Sequence, residues 1–269
     1  MIDTHSHMLP GLDHGCPDLD TSVRMASAAW DVGTTTIVCT PHLYDWDQTL
    51  VDEARTVCAE VQAALRERGI DLRLLLGFEV DLNVMVEADE SMLALLAIDG
   101  SVPGAAPGSG AQGWKGVIVI ETPFQGWPPF LPETIFRLKT SGYTPVLAHP
   151  ERNERVQRSP ELVDEIVRSG AVLQGTAGSL SEIFRRGSIR TMHELLARGS
   201  LSLLASDAHA FVDYTWTLAP VLEELSTRVP ENYLRSLVSL NPERMLNGEP
   251  LLPGLSTLEK QAGRSWWRR

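Results

Sequence analysis

The chain has 269 residues, 43% hydrophobic and 22% charged, enough to bury a sizeable core and too apolar for a disordered segment. Its 23 basic and 35 acidic residues give a net charge of −12, which argues against a non-specific nucleic-acid binder with its basic footprint. No apolar run approaches the ~18 residues of a membrane span, the start Met1-Ile2-Asp3-Thr4-His5 does not read as a signal peptide, and Cys16, Cys39 and Cys58 make no disulfide framework, so a soluble cytoplasmic globular protein is expected.

In chain order, strands are expected at Met1–Thr4, Thr35–Thr40, Leu72–Glu79, Gly116–Glu121, Tyr143–His149, Ala171–Gln174 and Leu201–Ser206. Most are near-continuous Val/Ile/Leu runs, the pattern of parallel strands buried on both faces. Helical spacing fills the gaps: Asp18–Val32 before Gly33, Val51–Leu65 before Gly69, Phe130–Ser141 before Gly142, Pro160–Ser169 before Gly170, and Ser188–Arg198 before Gly199. Seven strand–helix units with no GxGxxG or P-loop fit a distorted (β/α)7 TIM-like barrel in the α/β class, with an open doubly wound sheet as competitor. The barrel domain is expected over residues 1–248, followed by a tail at 249–269 that ends in the basic, aromatic Gly263–Arg269. The Gly/Pro-rich stretch Asp99–Gly116 reads as a flexible surface insertion.

Six of the seven histidines (His5, His7, His14, His42, His149 and His209) stand at or just after the C-terminal end of an expected strand, where such barrels place their active sites. His5-Ser6-His7 puts two imidazoles on one side of an extended strand, and Asp207-Ala208-His209 does the same for a carboxylate and an imidazole. Both are ordinary ligand pairs for Mn, Fe or Zn. Glu79 closes LRLLLGFE and Glu121 closes GVIVIE. A carboxylate at the end of a buried strand needs compensation, which either a metal or an arginine supplies. No cysteine has an arginine six residues on and no GxSxG occurs, so cysteine and serine nucleophiles lack support.

The segments HSHMLPGLDHG, TPH at 40–42, GFEV at 77–80, VIVIETP at 117–123, AHPERN at 148–153, ASDAH at 205–209 and NPERML at 241–246 together resemble the PHP (polymerase and histidinol phosphatase) superfamily. Within it, their order and context resemble the bacterial metal-dependent protein-tyrosine phosphatases of capsule and exopolysaccharide biosynthesis. The resemblance implies a cluster of two or three divalent ions, manganese foremost, with iron or zinc as alternatives. It implies His5, His7, Glu79 and Asp207 around one ion, Glu79, Glu121 and His149 around a second, and His42, His209 and His14 around a third. The phosphatase branch usually carries Asp at the position of His14, whereas other branches carry His, so a ligand is expected there, with Asp13 as the lesser substitute. It also implies Arg152 near the phosphate. The basic residues that often follow the second-strand histidine are replaced by Leu43 and Tyr44, and Arg185 and Arg186 are candidates to restore that charge.

The expected activity is metal-assisted hydrolysis of a phosphomonoester, foremost phosphotyrosine in a protein, with a hydroxide shared by two ions as nucleophile and Asp207 or His209 aiding proton transfer. A bacterial tyrosine kinase is the partner the resemblance implies; no nucleic acid or membrane span is expected. Phe124, Trp127 and Phe130 are candidates to line the mouth for an aromatic ring. The alternatives are a histidinol-phosphate or other small-molecule phosphatase, then an exonuclease, then a non-catalytic metal-binding module.

Overall fold

The computed structural model describes residues 1–99, 113–180, 186–212 and 215–255. The strands are β1 (Ile2–Ser6), β2 (Thr36–Cys39), β3 (His42–Leu43), β4 (Arg73–Leu76), β5 (Glu79–Val80), β6 (Gly116–Glu121), β7 (Tyr143–Ala148), β8 (Val172–Thr176) and β9 (Leu203–Ala205). All pair in parallel, in the orders β1-β2-β4 and β3-β5-β6-β7-β8-β9. One of the seven expected strands, Leu72–Glu79, is therefore divided in two, and another, Thr35–Thr40, is followed by a short further strand beyond its expected end. The interruption falls at Gly77-Phe78 in the first and at Thr40-Pro41 in the second, so that β5 prolongs β4 and β3 prolongs β2. The ladder still crosses the interruption, through Gly77 N to Cys39 O (2.9 Å), Glu79 N to Pro41 O (3.1 Å) and Asp81 N to Leu43 O (3.0 Å).

The last strand returns to the first. His7 N donates to Ala208 O and Asp207 N to His5 O, both at 2.9 Å. Lower down, side chains replace the ladder: Asp3 Oδ1 accepts from Ser206 N at 2.9 Å, and Ser206 Oγ donates to His5 O at 3.2 Å. The result is a distorted (β/α)7 barrel whose seam lies between β1 and β9.

Helices cover the outside, among them Leu19–Asp31, Gln48–Glu67, Leu131–Thr140, Leu162–Ser169 and Arg186–Arg198. Aspartates start two of them: Asp18 accepts from Thr21 N, and Asp47 from Thr49 N and Leu50 N. The glycines that follow these five helices (Gly33, Gly69, Gly142, Gly170 and Gly199) all have positive φ, which an L side chain resists.

Alternation along the strands sorts the core into two layers. Ile37, Cys39, Leu74, Leu76, Ile118, Ile120, Leu147, Leu173 and Leu204 pack outward with the helices. Val38, Leu75, Val117, Val119, Val146, Ala148 and Leu203 fill the barrel, closed below by Met245 from the helix Asn241–Leu246. Further up the same strands, inward positions such as Glu79, Glu121 and Asp207 carry charge. None of the described helices is long and apolar enough to cross a membrane.

Candidate metal centre

Continuing the inward alternation upward, Leu75 leads to Gly77 and Glu79, Val119 to Glu121, and Leu203 to Ala205 and Asp207, while in β1 a register irregularity between Asp3 and Ser6 precedes His5 and His7. These side chains meet at the C-terminal mouth. Ligand atoms of His5, His7, Glu79 and Asp207 lie within 4.8 Å of one another, as do those of His42, Glu79 and Glu121, and those of His7, His42 and His209.

Glu79 is the hub. Its Oε1 lies 2.6 Å from His149 Nε2. Its Oε2 lies 3.3 Å from His5 Nε2, 3.2 Å from His7 Nε2 and 3.1 Å from His42 Nδ1. Yet this buried Oε2 forms no hydrogen bond, nor does His42 Nδ1. His5 Nε2 and His7 Nε2 face each other at 3.0 Å. Leaving such atoms unpaired in a buried site costs on the order of 1–3 kcal/mol each. Nitrogen and oxygen ligands about 2.0–2.2 Å from one cation are themselves about 3–3.5 Å apart. The donor set and its spacing therefore fit a divalent metal.

Neighbours orient the ligands. Asp13 Oδ2 lies 2.7 Å from His7 Nδ1 and accepts from His42 N at 3.1 Å, while its Oδ1 accepts from Gly15 N at 2.7 Å. With both oxygens engaged, Asp13 fixes the His7 ring. Gln174 Nε2 contacts His5 Nδ1 at 2.8 Å and its Oε1 accepts from Thr4 Oγ1 at 2.8 Å. His209 Nδ1 donates to the carbonyl oxygen of Asp207 at 2.9 Å, which leaves Nε2 as the ligand atom of that ring. Gly15 permits this packing, since a Cβ there would stand 2.3 Å from both the Cβ and the carbonyl oxygen of His7.

The electrostatics follow from burial and proximity. Burial disfavours the Glu79 carboxylate, but the charges of His5 and His149 outweigh it and hold the group well below the usual range. Asp207 is held down likewise against burial, first by Arg152 and then by His5 and His7. Burial also opposes the Asp13 carboxylate, yet its bond to His7 brings it down to about 2. Burial, helped by the neighbouring Glu79 charge, pushes Glu121 up to about 7. His42 and His209 are pushed down by burial to about 3 and about 4. Against burial, the carboxylates Asp13, Asp207 and Glu79 push His7 up and Glu79 pushes His149 up, so a metal bound there would displace protons from these rings.

Among the described residues, the only non-glycine positions with positive φ are His149 (37°) and Asp207 (53°). Both sit in the cluster, where strain of order 1–3 kcal/mol each is stored to aim a side chain. Arg152 Nη1 bonds Asp207 Oδ2 at 2.6 Å, and its Nε bonds Ser179 Oγ at 3.1 Å. The buried Glu151 in turn accepts from Ser179 Oγ (2.7 Å) and Thr176 N (3.1 Å).

The cluster opens into a cavity of about 120 Å³ lined by His14, His42, Tyr44, Glu79, Glu121, Phe124, His149, Arg152, Asp207 and His209. His14 stacks beside His42 (5.2 Å, 11°) and His209 (4.8 Å) but belongs to none of the three ligand groupings. At the mouth Tyr44 stacks on His42 (4.8 Å, 17°) and Phe124 on His149 (5.8 Å, 5°), while Phe211 stands 5.2 Å from His209 and 6.3 Å from His14. Tyr44, Phe124 and Phe211 are 54%, 53% and 70% exposed and stand together at the mouth.

Three expectations are corrected here. Trp127 packs partly buried against the outer core, because apolar neighbours lie beneath it. Phe130 occupies the N-cap position of the helix Leu131–Thr140 and does not line the cavity. Arg186 lines a separate cavity with Ile189, Arg190, His193 and Glu194, so it cannot restore charge at the centre. Arg185, most of the 99–116 insertion and the tail from 256 lie outside the described residues. The sequence reading missed the positioning roles of Asp13, Gln174 and Gly15, and the aromatic rings Tyr44 and Phe211.

The CpsB/CapC capsular polysaccharide synthesis model matches residues 1–100 and 119–247. The chain is 33% identical over 213 residues to the tyrosine-protein phosphatase YwqE of Bacillus subtilis, covering 78% of this chain and 77% of that one. CapC of Staphylococcus aureus is 23% identical over 258 residues, covering 96% and 95%. A solved structure from the study of B. subtilis YwqE and Streptococcus pneumoniae CpsB, described as unique metal-dependent tyrosine phosphatases, superposes with a TM-score of 0.73 at 28% identity, over 95% of this chain and 100% of that one. With the match spanning the strands that bring His5, His42, Glu79, Glu121 and Asp207 together, the chain belongs to the CpsB/CapC family of capsular polysaccharide synthesis.

Proposed function

We propose that this chain is a metal-dependent phosphatase that hydrolyses phosphotyrosine in proteins, in the cytoplasm, as part of the control of capsule or exopolysaccharide synthesis. The observation that carries the reading is Glu79 Oε2, a buried carboxylate oxygen without a hydrogen bond and within 3.1–3.3 Å of three imidazole nitrogens. The names of its relatives supply the substrate class. A bacterial tyrosine kinase is the partner that would make such a substrate.

In this reading His5, His7, Glu79 and Asp207 hold one divalent ion, Glu79, Glu121 and His149 a second, and His42, His209 and His14 a third, with manganese the first choice for a mixed imidazole–carboxylate set and iron or zinc next. Bound there, such ions supply Lewis acidity and lower the pKa of a coordinated water towards ~7. The chain's own groups do the rest. Arg152, anchored on Asp207 and Ser179, brings a permanent positive charge to the cavity wall for the phosphoryl oxygens. Asp207 and His209 stand at the same wall as the groups that handle protons. A cavity of about 120 Å³ accepts a phosphoryl group and leaves a phenyl ring outside, among Tyr44, Phe124 and Phe211. Ring contacts of that kind contribute about 0.5–1.5 kcal/mol per pair. No cysteine lines this cavity, Cys39 is buried within β2, and burial pushes the Cys16 thiol up to about 11, so thiolate attack is not part of the mechanism.

The test is hydrolysis by the purified chain with Mn²⁺. Both p-nitrophenyl phosphate and a phosphotyrosyl peptide are turned over, a phosphoseryl peptide is poor, EDTA abolishes activity and iodoacetamide does not. Activity that survives exhaustive chelation would falsify the metal mechanism.

A further inference from the structure

A second, larger cavity of about 600 Å³ shares a wall with the first through His14 and is lined otherwise by Asp13, Gly15, Cys16, Pro17, Thr21, Arg24, Ala210, Phe211 and Trp216. Its size falls in the usual range of ligand sites, about 300–1,000 Å³, whereas the cavity over the metal cluster is too small for anything beyond the reacting group. A polypeptide whose phosphotyrosine enters the small cavity passes over His14 and meets the larger one.

The chemistry of this cleft is specific. Pro17, Ala210, Phe211 and Trp216 present apolar surface for a side-chain stem. The Arg24 guanidinium lies 5.9 Å from the centre of the Trp216 ring, a geometry that holds an arginine extended across a flat platform. Three acids adjoin it, of which Asp18 caps the N-terminus of the helix through Thr21 N. Asp13 spends both carboxylate oxygens inward, on His7, His42 and Gly15. Asp20 pairs with Arg24 at 3.4 Å across one helical turn, with the two side chains 80% and 60% exposed. A pair that exposed is worth little and yields to a competitor. Arg24 also donates to Thr21 Oγ1 at 3.0 Å, which fixes one edge of the fork. The remaining donors of a planar guanidinium over an apolar bed match a carboxylate.

We propose that this cleft is a substrate-specificity subsite that takes an acidic side chain flanking the phosphotyrosine of the protein substrate, with Arg24 as its selecting residue. It rests on the phosphatase reading above. Arg24 touches the substrate protein and not the reacting atoms, so it acts on KM and leaves kcat to the centre.

The experiment uses the full chain loaded with Mn²⁺. Phosphotyrosyl peptides carry Glu, Gln or Lys in turn at each of the two positions before and after the phosphotyrosine. At one of these positions the wild-type chain shows a KM about fivefold lower for Glu than for Gln, and highest for Lys, at unchanged kcat. The preference weakens as salt is raised. Arg24→Glu reverses the order in favour of Lys, and Arg24→Lys retains it. p-Nitrophenyl phosphate, too small to reach the cleft, reports the centre alone. If it is hydrolysed while no position shows a charge preference, or the preference survives Arg24→Glu, the subsite is overturned and the phosphatase reading stands. If the wild-type chain hydrolyses neither it nor any peptide, both are overturned.

Discussion

The lower and upper halves of the barrel interior are built from the same strands with the same two-residue period, and they do opposite things. Below, Val38, Leu75, Val117, Val119, Val146 and Leu203 form a buried apolar plug. Above, Glu79, Glu121 and Asp207 follow on those strands and His5 and His7 join them from β1, with polar atoms left unpaired and two residues in left-handed backbone. The plug supplies packing energy to hold a mouth that is by itself unfavourable. Rigidity and chemistry are thus separated along the strand axis by only a few residues.

The separation can be broken first at Glu79. Glu79→Gln removes the charge that two of the three groupings share; turnover of p-nitrophenyl phosphate falls by more than the ~100-fold typical of an outer-shell residue. Elemental analysis shows at least one ion fewer, while far-UV circular dichroism stays native. Full metal content in that variant would remove the hub from its role. Next is Gly15→Ala, where the added methyl collides with the His7 backbone and side chain. Displaced His7 is expected to cost at least about tenfold in metal affinity by titration. Asp13→Asn keeps the shape but loses the charge behind His7, and an effect of about 10–100-fold on metal affinity is expected; no change would mean that the ring is held by packing alone.

The opposite half gives the complementary outcome. Leu203→Ala opens a cavity in the plug and lowers stability by about 2–5 kcal/mol in urea unfolding, with metal stoichiometry and turnover of the folded fraction nearly intact. If instead it released metal, the two halves would be one mechanical unit. Smallest of all is Asp47→Ala, which removes a helix cap far from the mouth and costs about 1 kcal/mol with no effect on turnover.

Much of this division was legible in the sequence, because periodicity is a local property. A run such as GVIVIE announces a strand buried on both faces, and the first charged residue after it marks where the barrel interior ends. HSH and DAH each give two ligands from a single stretch. Long-range hydrogen bonds were not legible. Asp13 reads as one more loop acid, and nothing local tells that its two oxygens reach residues 7, 15 and 42. The break between β2 and β3 falls at Pro41, which has no N–H to donate, and that between β4 and β5 at Gly77, where a Cβ would stand 2.9 Å from Ile98. The rim was half read. Phe124 was singled out by its place after Glu121, whereas Phe211 and Tyr44 gain their meaning only from the histidines they cover.

The seam between β1 and β9 has a consequence in time. Asp3 and Ser206, bonded across it, are 203 positions apart. At synthesis rates of about 5–20 residues per second, some ~10–40 s pass between the emergence of the first ligands and of the last. Throughout that interval the early histidines have no Asp207 beside them, and a nascent or prematurely terminated chain can gather only a partial ligand set. Loading with the full complement of ions, and with it any dephosphorylation, must await synthesis past His209.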